Sequence, residues 1–326
     1  MSSETLYIDG LQIANWNQKT LREVHQAGIH SINATSAVWE GPAETLQLIG
    51  DWYQLINSMP DVARLALTVE DILEAKEAGQ VAVLMGFQNA SPFADDFSLV
   101  EVFYRLGVRI VQLTYNIQNH VGGSCYDDND SGLTAFGRTV VSEMNRLGMV
   151  IDLSHVGDRT CRDAIEASRQ PVAMTHANPN WFCTSPRNKP ADVISALANE
   201  GGILGCCLYP NIIGGESTTR REFCEMVATV AEEIGVAHVA ISSDSVRGWG
   251  DDQVDFLRNG RWRPRARSES KPKWPAWPDW YRTPEDFPHL AEGLVEVGFS
   301  EEDARNILGR NWLRYFEEVF PGADTT

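Results

Sequence analysis

The chain has 326 residues, 43% of them hydrophobic and 22% charged, with a formal net charge of −18. That length is enough for one large α/β core or two ordinary ones. The acidic balance excludes an extended phosphate-binding surface, so nucleic acid is not an expected partner.

The opening MSSETLYIDG has neither a basic n-region nor a long apolar h-region, so no signal peptide is expected. No window approaches the length and apolarity of a membrane span, and a cytoplasmic location without membrane attachment is the expectation. The six cysteines, Cys125, Cys161, Cys183, Cys206, Cys207 and Cys224, lack CxxC spacing. In a reducing compartment they read as buried thiols rather than disulfides.

In chain order, apolar runs at 6–8, 31–34, 81–87, 109–114, 149–153, 171–174, 202–208 and 239–242 predict eight strands. Helical spacing follows at 18–27, 44–58, 69–78, 99–106, 133–147, 158–168, 191–200 and 220–234. Eight alternating units predict a (β/α)8 barrel, and the missing GxGxxG after the first run argues against a dinucleotide-binding sheet. No interior linker or short repeat divides residues 1–326, which read as a single domain. Residues 247–283 break the pattern as an insertion holding Trp249, Trp262, Trp274, Trp277 and Trp280. Following the eighth strand, it is expected over the barrel mouth as a lid, with a structural or oligomer-contact loop as the alternative. Residues 300–320 predict a C-terminal helical segment with Ser300 as N-cap and Asp303 in a capping-box-like role. Within it Gly309 marks a break, and Trp312, Leu313 and Phe316 form the face that seals against the barrel.

The stretch from Gly148 to His176 organises the site. It reads as buried strand, amphipathic helix and buried strand, with His155 and His176 after the two strands. A right-handed strand–helix–strand unit brings both strand C-termini to one end of the sheet, where barrel enzymes carry their chemistry. Two separate core or loop histidines are the alternative. Other strand ends carry Gln88, Tyr115 with Asn116, and Asp244, and Arg187 follows the sixth strand. Polar groups aimed at one mouth make a candidate site, in which a guanidinium suits a substrate carboxylate.

On DG at the first strand, GVRIVQLTYN, SGLTAFGRTVVSEMNRLGMVIDLSHV, PVAMTHANP, SPRNKPADV, SSD and LGRNWLRYF, the chain resembles the membrane (renal) dipeptidase family, peptidase family M19. The resemblance covers nearly the whole length and implies a metallo-dependent hydrolase-like barrel with a binuclear zinc site. Position by position, it implies that His155 and His176 are metal ligands, Asp244 assists the attacking water and Arg187 holds the substrate. Elsewhere the family pattern is altered. Its first-strand ligands are Leu11 and Ile13 here, its bridging carboxylate is Gln88, and its substrate histidine is Tyr115. Hydrocarbon has no lone pair and a neutral amide bridges two dications poorly. At most one divalent metal, zinc first, is therefore expected at His155 and His176, or none.

The resulting expectation is a hydrolase cleaving a C–N bond of a small carboxylate-bearing substrate, with ordinary dipeptides disfavoured by the substitutions. Asp244 is the expected base and Tyr115 the donor to the developing oxyanion, with His155 and His176 beside them. Arg187, Asn116 and Gln88 are expected to bind the substrate. Two alternatives stay open: a metal-independent lyase or isomerase, and a non-catalytic small-molecule binder for a ligand such as a methylated amine or betaine. A homo-oligomer also remains open.

Overall fold

The computed structural model describes residues 5–260 and 273–320. Trp262, within the predicted lid, lies outside the described residues. In chain order the elements are β1 (Ile8–Ala14), α1 (Gln18–Gln26), β2 (Ser31–Ala37), α2 (Pro42–Asn57), β3 (Ala63–Leu65), α3 (Val69–Glu77), β4 (Val81–Phe87) and α4 (Ser98–Arg105). There follow β5 (Val108–Gln112), α5 (Ala135–Leu147), β6 (Val150–Asp152), α6 (Asp158–Ala167), β7 (Ala173–Ala177), α7 (Ala191–Asn199), β8 (Ile203–Cys207) and α8 (Arg220–Ile234). The chain ends through β9 (Val239–Ser242), β10 (Ser245–Arg247), α9 (Val254–Asn259), α10 (Leu290–Glu296), α11 (Glu301–Arg305) and α12 (Asn311–Val319).

Strands pair in parallel in the order β10-β1-β2-β4-β5-β6-β7-β8-β9. Because β9 runs into β10 across only Ser243 and Asp244, the pairing of β10 with β1 closes the sheet into the expected barrel. The eighth barrel position is thus a strand interrupted at Asp244. β3 is a further strand that sequence periodicity does not signal. It is three residues long and pairs with β4 at 81–83, below the point where β5 begins its own pairing with β4.

The first strand differs most from expectation. It runs through Asp9–Gly10 instead of stopping before them. A charged residue followed by glycine reads as a turn, yet here Asp9 is fully buried and accepts from Gln12 Nε2 at 2.8 Å, Ser243 Oγ at 2.5 Å and Ser243 N at 2.7 Å. Those donors replace the water a turn would have supplied. Burial still pushes its carboxyl up to about 6, against the lowering effect of the same hydrogen bonds.

Helix starts follow local chemistry. Asn17 caps α1, Thr68 caps α3 and Thr134 caps α5, each side chain accepting from first-turn amides. The C-terminal helices close the end of the barrel opposite the strand C-termini. Trp312, Tyr315 and Phe316 are buried with Ile8, Leu84, Ile110, Val150 and Ile203, which start or line the barrel strands. Gly309 does not break the helix. It sits in a π-helical turn, Asn306–Arg310, that joins α11 to α12. A Cβ at Gly309 would collide with the carbonyl of Leu6, and one at Gly10 with the indole of Trp312. Gly309→Ala and Gly10→Ala should each cost about 3 kcal/mol or more in urea unfolding, since backbone and a packed ring cannot give way. Values under 1 kcal/mol would show that these contacts are loose.

All six cysteines are free, but only Cys161, Cys206, Cys207 and Cys224 are buried; Cys125 and Cys183 are partly exposed because they sit in loops. No helix among the described residues is long and apolar enough to cross a membrane.

Candidate active site

At the C-terminal end of the strands lies a cavity of about 290 Å³. Gln88, Tyr115, Asn116, His155, Arg187 and Asp244 all line it. They come from five separate stretches of the chain, Tyr115 and Asn116 being neighbours, and barrel closure brings them together. His176 lies behind this lining, fully buried, with its Nε2 3.0 Å from Nε2 of His155.

The two histidines are held from behind. His155 Nδ1 faces Asn116 Oδ1 at 2.8 Å, and the ring of Tyr115 stacks on its imidazole at 4.1 Å. His176 Nδ1 lies 2.8 Å from Thr175 Oγ1, and Thr175 Oγ1 donates to Asp152 Oδ2 at 2.7 Å. Asp152 also accepts from Ser154 N and Oγ and from Thr175 N, so this carboxyl organises the ends of both β6 and β7. Burial first, then the positive charge of Arg187, hold both imidazoles well below their ordinary range. Both are neutral at pH 7, the state that can donate a lone pair. Burial pushes the Asp152 carboxyl up as well, so the 3.9 Å approach of Asp152 to His176 is read as part of a hydrogen-bond network and not as an ion pair.

Asp244 interrupts the last strand with a left-handed φ of 48°, and Asn116 follows β5 with φ of 60°. Asn and Asp tolerate this region better than other side chains, and such strain gathers at functional sites. Among the described residues the Asp244 carboxylate makes no hydrogen bond. Burial pushes it up to about 7; Arg187 pulls it down, while Asp9 and Asp152 add repulsion. A buried carboxyl poised near neutrality is suited to taking and returning a proton.

Arg187 is 4% exposed, and its two terminal nitrogens each donate to a backbone carbonyl, Nη1 to Ser154 O and Nη2 to His176 O at 2.9 Å. The two-pronged grip expected on a substrate carboxylate is therefore spent on the ends of the two histidine strands. What Arg187 offers the cavity is mainly positive charge. Arg187→Lys should destabilise the fold by about 2 kcal/mol or more in urea, because one ammonium cannot hold both carbonyls. An unchanged midpoint would show that the fork carries no structural load.

Gln88 donates through Nε2 to Thr35 Oγ1 at 2.8 Å, which leaves its carbonyl oxygen as the end free for the cavity. Asn116, expected to bind substrate, has both ends of its amide engaged: Oδ1 faces His155, and Nδ2 donates to Arg258 O at 2.8 Å. The Tyr115 hydroxyl makes no hydrogen bond among the described residues, and burial raises it far above the ordinary range, so it stays a proton donor. Ile13 turns hydrocarbon into the cavity and Leu11 is buried.

The described residues of the insertion divide in two. Leu257, Arg258, Asn259 and Trp274 line the cavity, and Trp249 packs with Trp39 and Tyr115 beside it. Trp277 instead packs behind the lining, edge-on against the cavity residue Tyr209, and Trp280 packs on Phe223 of α8 with Nε1 donating to Thr218 O. Among the described residues of the insertion, the expected lid is thus formed by Leu257, Arg258, Asn259 and Trp274, with Trp249 beside them. Sequence reasoning missed Tyr209 and Arg258. Tyr209 ends an apolar run in CCLYP, the same signal that marks Tyr115, whereas Arg258 lies on a short helix within irregular sequence and carries no such mark. Arg258 Nη2 reaches Tyr209 Oη at 3.3 Å and Lys273 O at 3.5 Å, both long contacts.

The profile described as membrane dipeptidase (peptidase family M19) matches residues 14–253. The chain belongs to the membrane dipeptidase family. A curated relative, Dipeptidase verJ of Clonostachys rogersoniana, is 30% identical over 285 residues, 87% of this chain and 67% of that protein. Among other curated dipeptidases the chain spans 64% of one and 45% of another. Among solved structures, an amidohydrolase from Pseudomonas aeruginosa superposes with a TM-score of 0.90 at 35% identity, covering 97% of each chain. A dipeptidase titled as a metallo peptidase of family M19 shares the fold, with a TM-score of 0.77 at 18% identity over 96% of this chain and 99% of its own.

Membership in a metallopeptidase family makes the donor set of this chain the question. Two neutral imidazoles converge at Nε2, which suits one ion. Among the described residues no three His, Cys, Asp or Glu side chains cluster as a metal site. The half-site that would lie by Ile13 and Gln88 offers one amide oxygen and hydrocarbon. The set fits one divalent ion on His155 and His176 and does not fit a pair.

Proposed function

We propose that this member of the family is an amide hydrolase acting on a C–N bond of a small carboxylate-bearing substrate, with at most one divalent ion in place of two. The observation that carries it is the Asp244 carboxylate, without a hydrogen bond among the described residues, lining the same cavity as neutral His155. A divalent ion held by His155 and His176 would polarise the scissile carbonyl or lower the pKa of water. The chain's own residues supply the rest. Asp244 accepts the proton of the attacking water and returns it to the departing nitrogen. Tyr115 donates from its hydroxyl to the carbonyl oxygen as charge develops there. Arg187 contributes positive charge to the cavity, and Arg258, whose side-chain contacts among the described residues are long, is placed to turn toward a carboxylate.

The poverty of the ligand set favours one second reading, a lyase or isomerase in which Asp244 and the histidine pair move protons without an ion. The two separate on one experiment. Protein prepared with and without added zinc is offered dipeptides and N-acyl amino acids, and release of free amine is followed. Hydrolysis of at least one amide, lost in Asp244→Asn, is expected. No amine release from any of them by folded protein would overturn the hydrolase reading.

A further inference from the structure

We infer that Asn116 is a positioning residue that fixes His155 as its Nδ1–H tautomer and couples that choice to the cavity-facing end of the insertion. Asn116 Nδ2 lies 2.8 Å from the backbone oxygen of Arg258. A carbonyl oxygen only accepts, so the nitrogen end of the amide must face it. The oxygen end therefore faces His155 Nδ1 at 2.8 Å, and it too only accepts. His155 Nδ1 must carry the proton, which leaves the lone pair of a neutral imidazole on Nε2, the nitrogen 3.0 Å from His176 Nε2.

The direction of one amide is thus set by the loop and transmitted to the ring. If the Arg258 carbonyl withdraws, the amide loses its orienting partner, and His155 is free to take the other tautomer with Nε2 blocked by hydrogen. The left-handed backbone at Asn116, φ 60°, is what turns this side chain from the strand end toward both partners. The ring is held from its face by Tyr115, whose own ring meets Trp39 edge-on at 5.3 Å. Trp39 Nε1 in turn donates to Leu257 O at 3.1 Å, a second tie from the same support to the same loop segment. This inference rests on the reading that His155 works through Nε2, but its test needs neither metal nor turnover.

The test is long-range nitrogen–proton NMR of histidine-labelled, metal-free protein at pH 8, with the His155 signals assigned from His155→Gln. Wild type should show His155 protonated at Nδ1. Asn116→Gly keeps the left-handed backbone at no steric cost and removes both contacts. It should move His155 to a mixture of tautomers. Asn116→Asp keeps the acceptor and should keep the Nδ1–H form. Hydrogen exchange of backbone amides in 254–260 should quicken about five-fold in both variants, the effect of losing one ordinary hydrogen bond to the loop. An Nε2–H tautomer in wild type, or an unmoved tautomer in Asn116→Gly, overturns the role of Asn116. Loss of the Nδ1–H form in Asn116→Asp removes the acceptor argument, and unchanged exchange in Asn116→Gly removes the coupling to the loop. Failure of amide hydrolysis with these results intact would count against the proposed function alone.

Discussion

Asp244→Asn will stabilise the metal-free protein at pH 8 by roughly 2–4 kcal/mol while abolishing turnover. The carboxyl is pushed up to about 7 in the fold, mainly by burial. In the unfolded chain it returns to the ordinary range near 4. Between those two values the folded state holds a proton that the unfolded state has released. The contribution of Asp244 to stability is therefore greatest below about pH 4, falls as pH rises, and is at its minimum above 7. At pH 8 the folded protein carries a buried anion with no hydrogen bond among the described residues. Asn has the same shape, no charge, and an equal or better tolerance for the left-handed φ of 48°. Urea unfolding at pH 5 and pH 8 checks this, with a gain at pH 8 clearly larger than at pH 5. Asp9 and Asp152 are raised in the same direction, so the wild-type slope alone would not isolate Asp244; the difference between variant and wild type does. Equal gains at both values would trace the effect to backbone preference and not to charge.

A buried carboxylate that lowers stability is also a residue that stands out in sequence. Asp244, His155, Tyr115 and Gln88 all stand out for one reason: each follows a run of buried strand residues, where a polar side chain needs an explanation. The barrel itself is legible because parallel strands covered on both faces give unbroken apolar runs, and the helices between them keep a 3.6 period. β3 is not legible, because three residues carry no period. The extent of β1 is not legible either, because Asp9 and Gln12 look like surface residues until Ser243, more than two hundred residues away, supplies the partner. Sequence likewise marks Arg187 as a cation near the mouth but not which oxygens it holds. That depends on the carbonyls of Ser154 and His176 facing it once β6 and β7 are paired. The lid is half right for a similar reason. Tryptophan content announces burial against something, and only the packing says that Trp274 meets the cavity while Trp280 meets α8.

The protein will bind no more than one divalent ion per chain, and that ion will be lost from both His155→Ala and His176→Ala. The Nε2 atoms stand 3.0 Å apart, a separation that two nitrogens at about 2.0–2.1 Å from a single zinc can adopt. A second ion about 3.5–4 Å away would need an anion between the two to offset their repulsion. Gln88 is neutral, and its amide nitrogen is already engaged with Thr35. The side of the cavity where further ligands would stand has Ile13 instead, and a water cannot replace a ligand where its neighbours are hydrocarbon. Two imidazoles with no carboxylate bind an ion weakly, so Gln88→Glu should tighten zinc binding, by about ten-fold or more, without raising the count to two. Zinc per chain after equilibrium dialysis at saturating metal, with anomalous scattering to place the ion, decides the matter. Two well-occupied ions within bridging distance in the wild-type protein would show that the amide and backbone oxygens around Gln88 can do what a carboxylate does in such sites. A single ion that survives His176→Ala would move the site away from the histidine pair altogether.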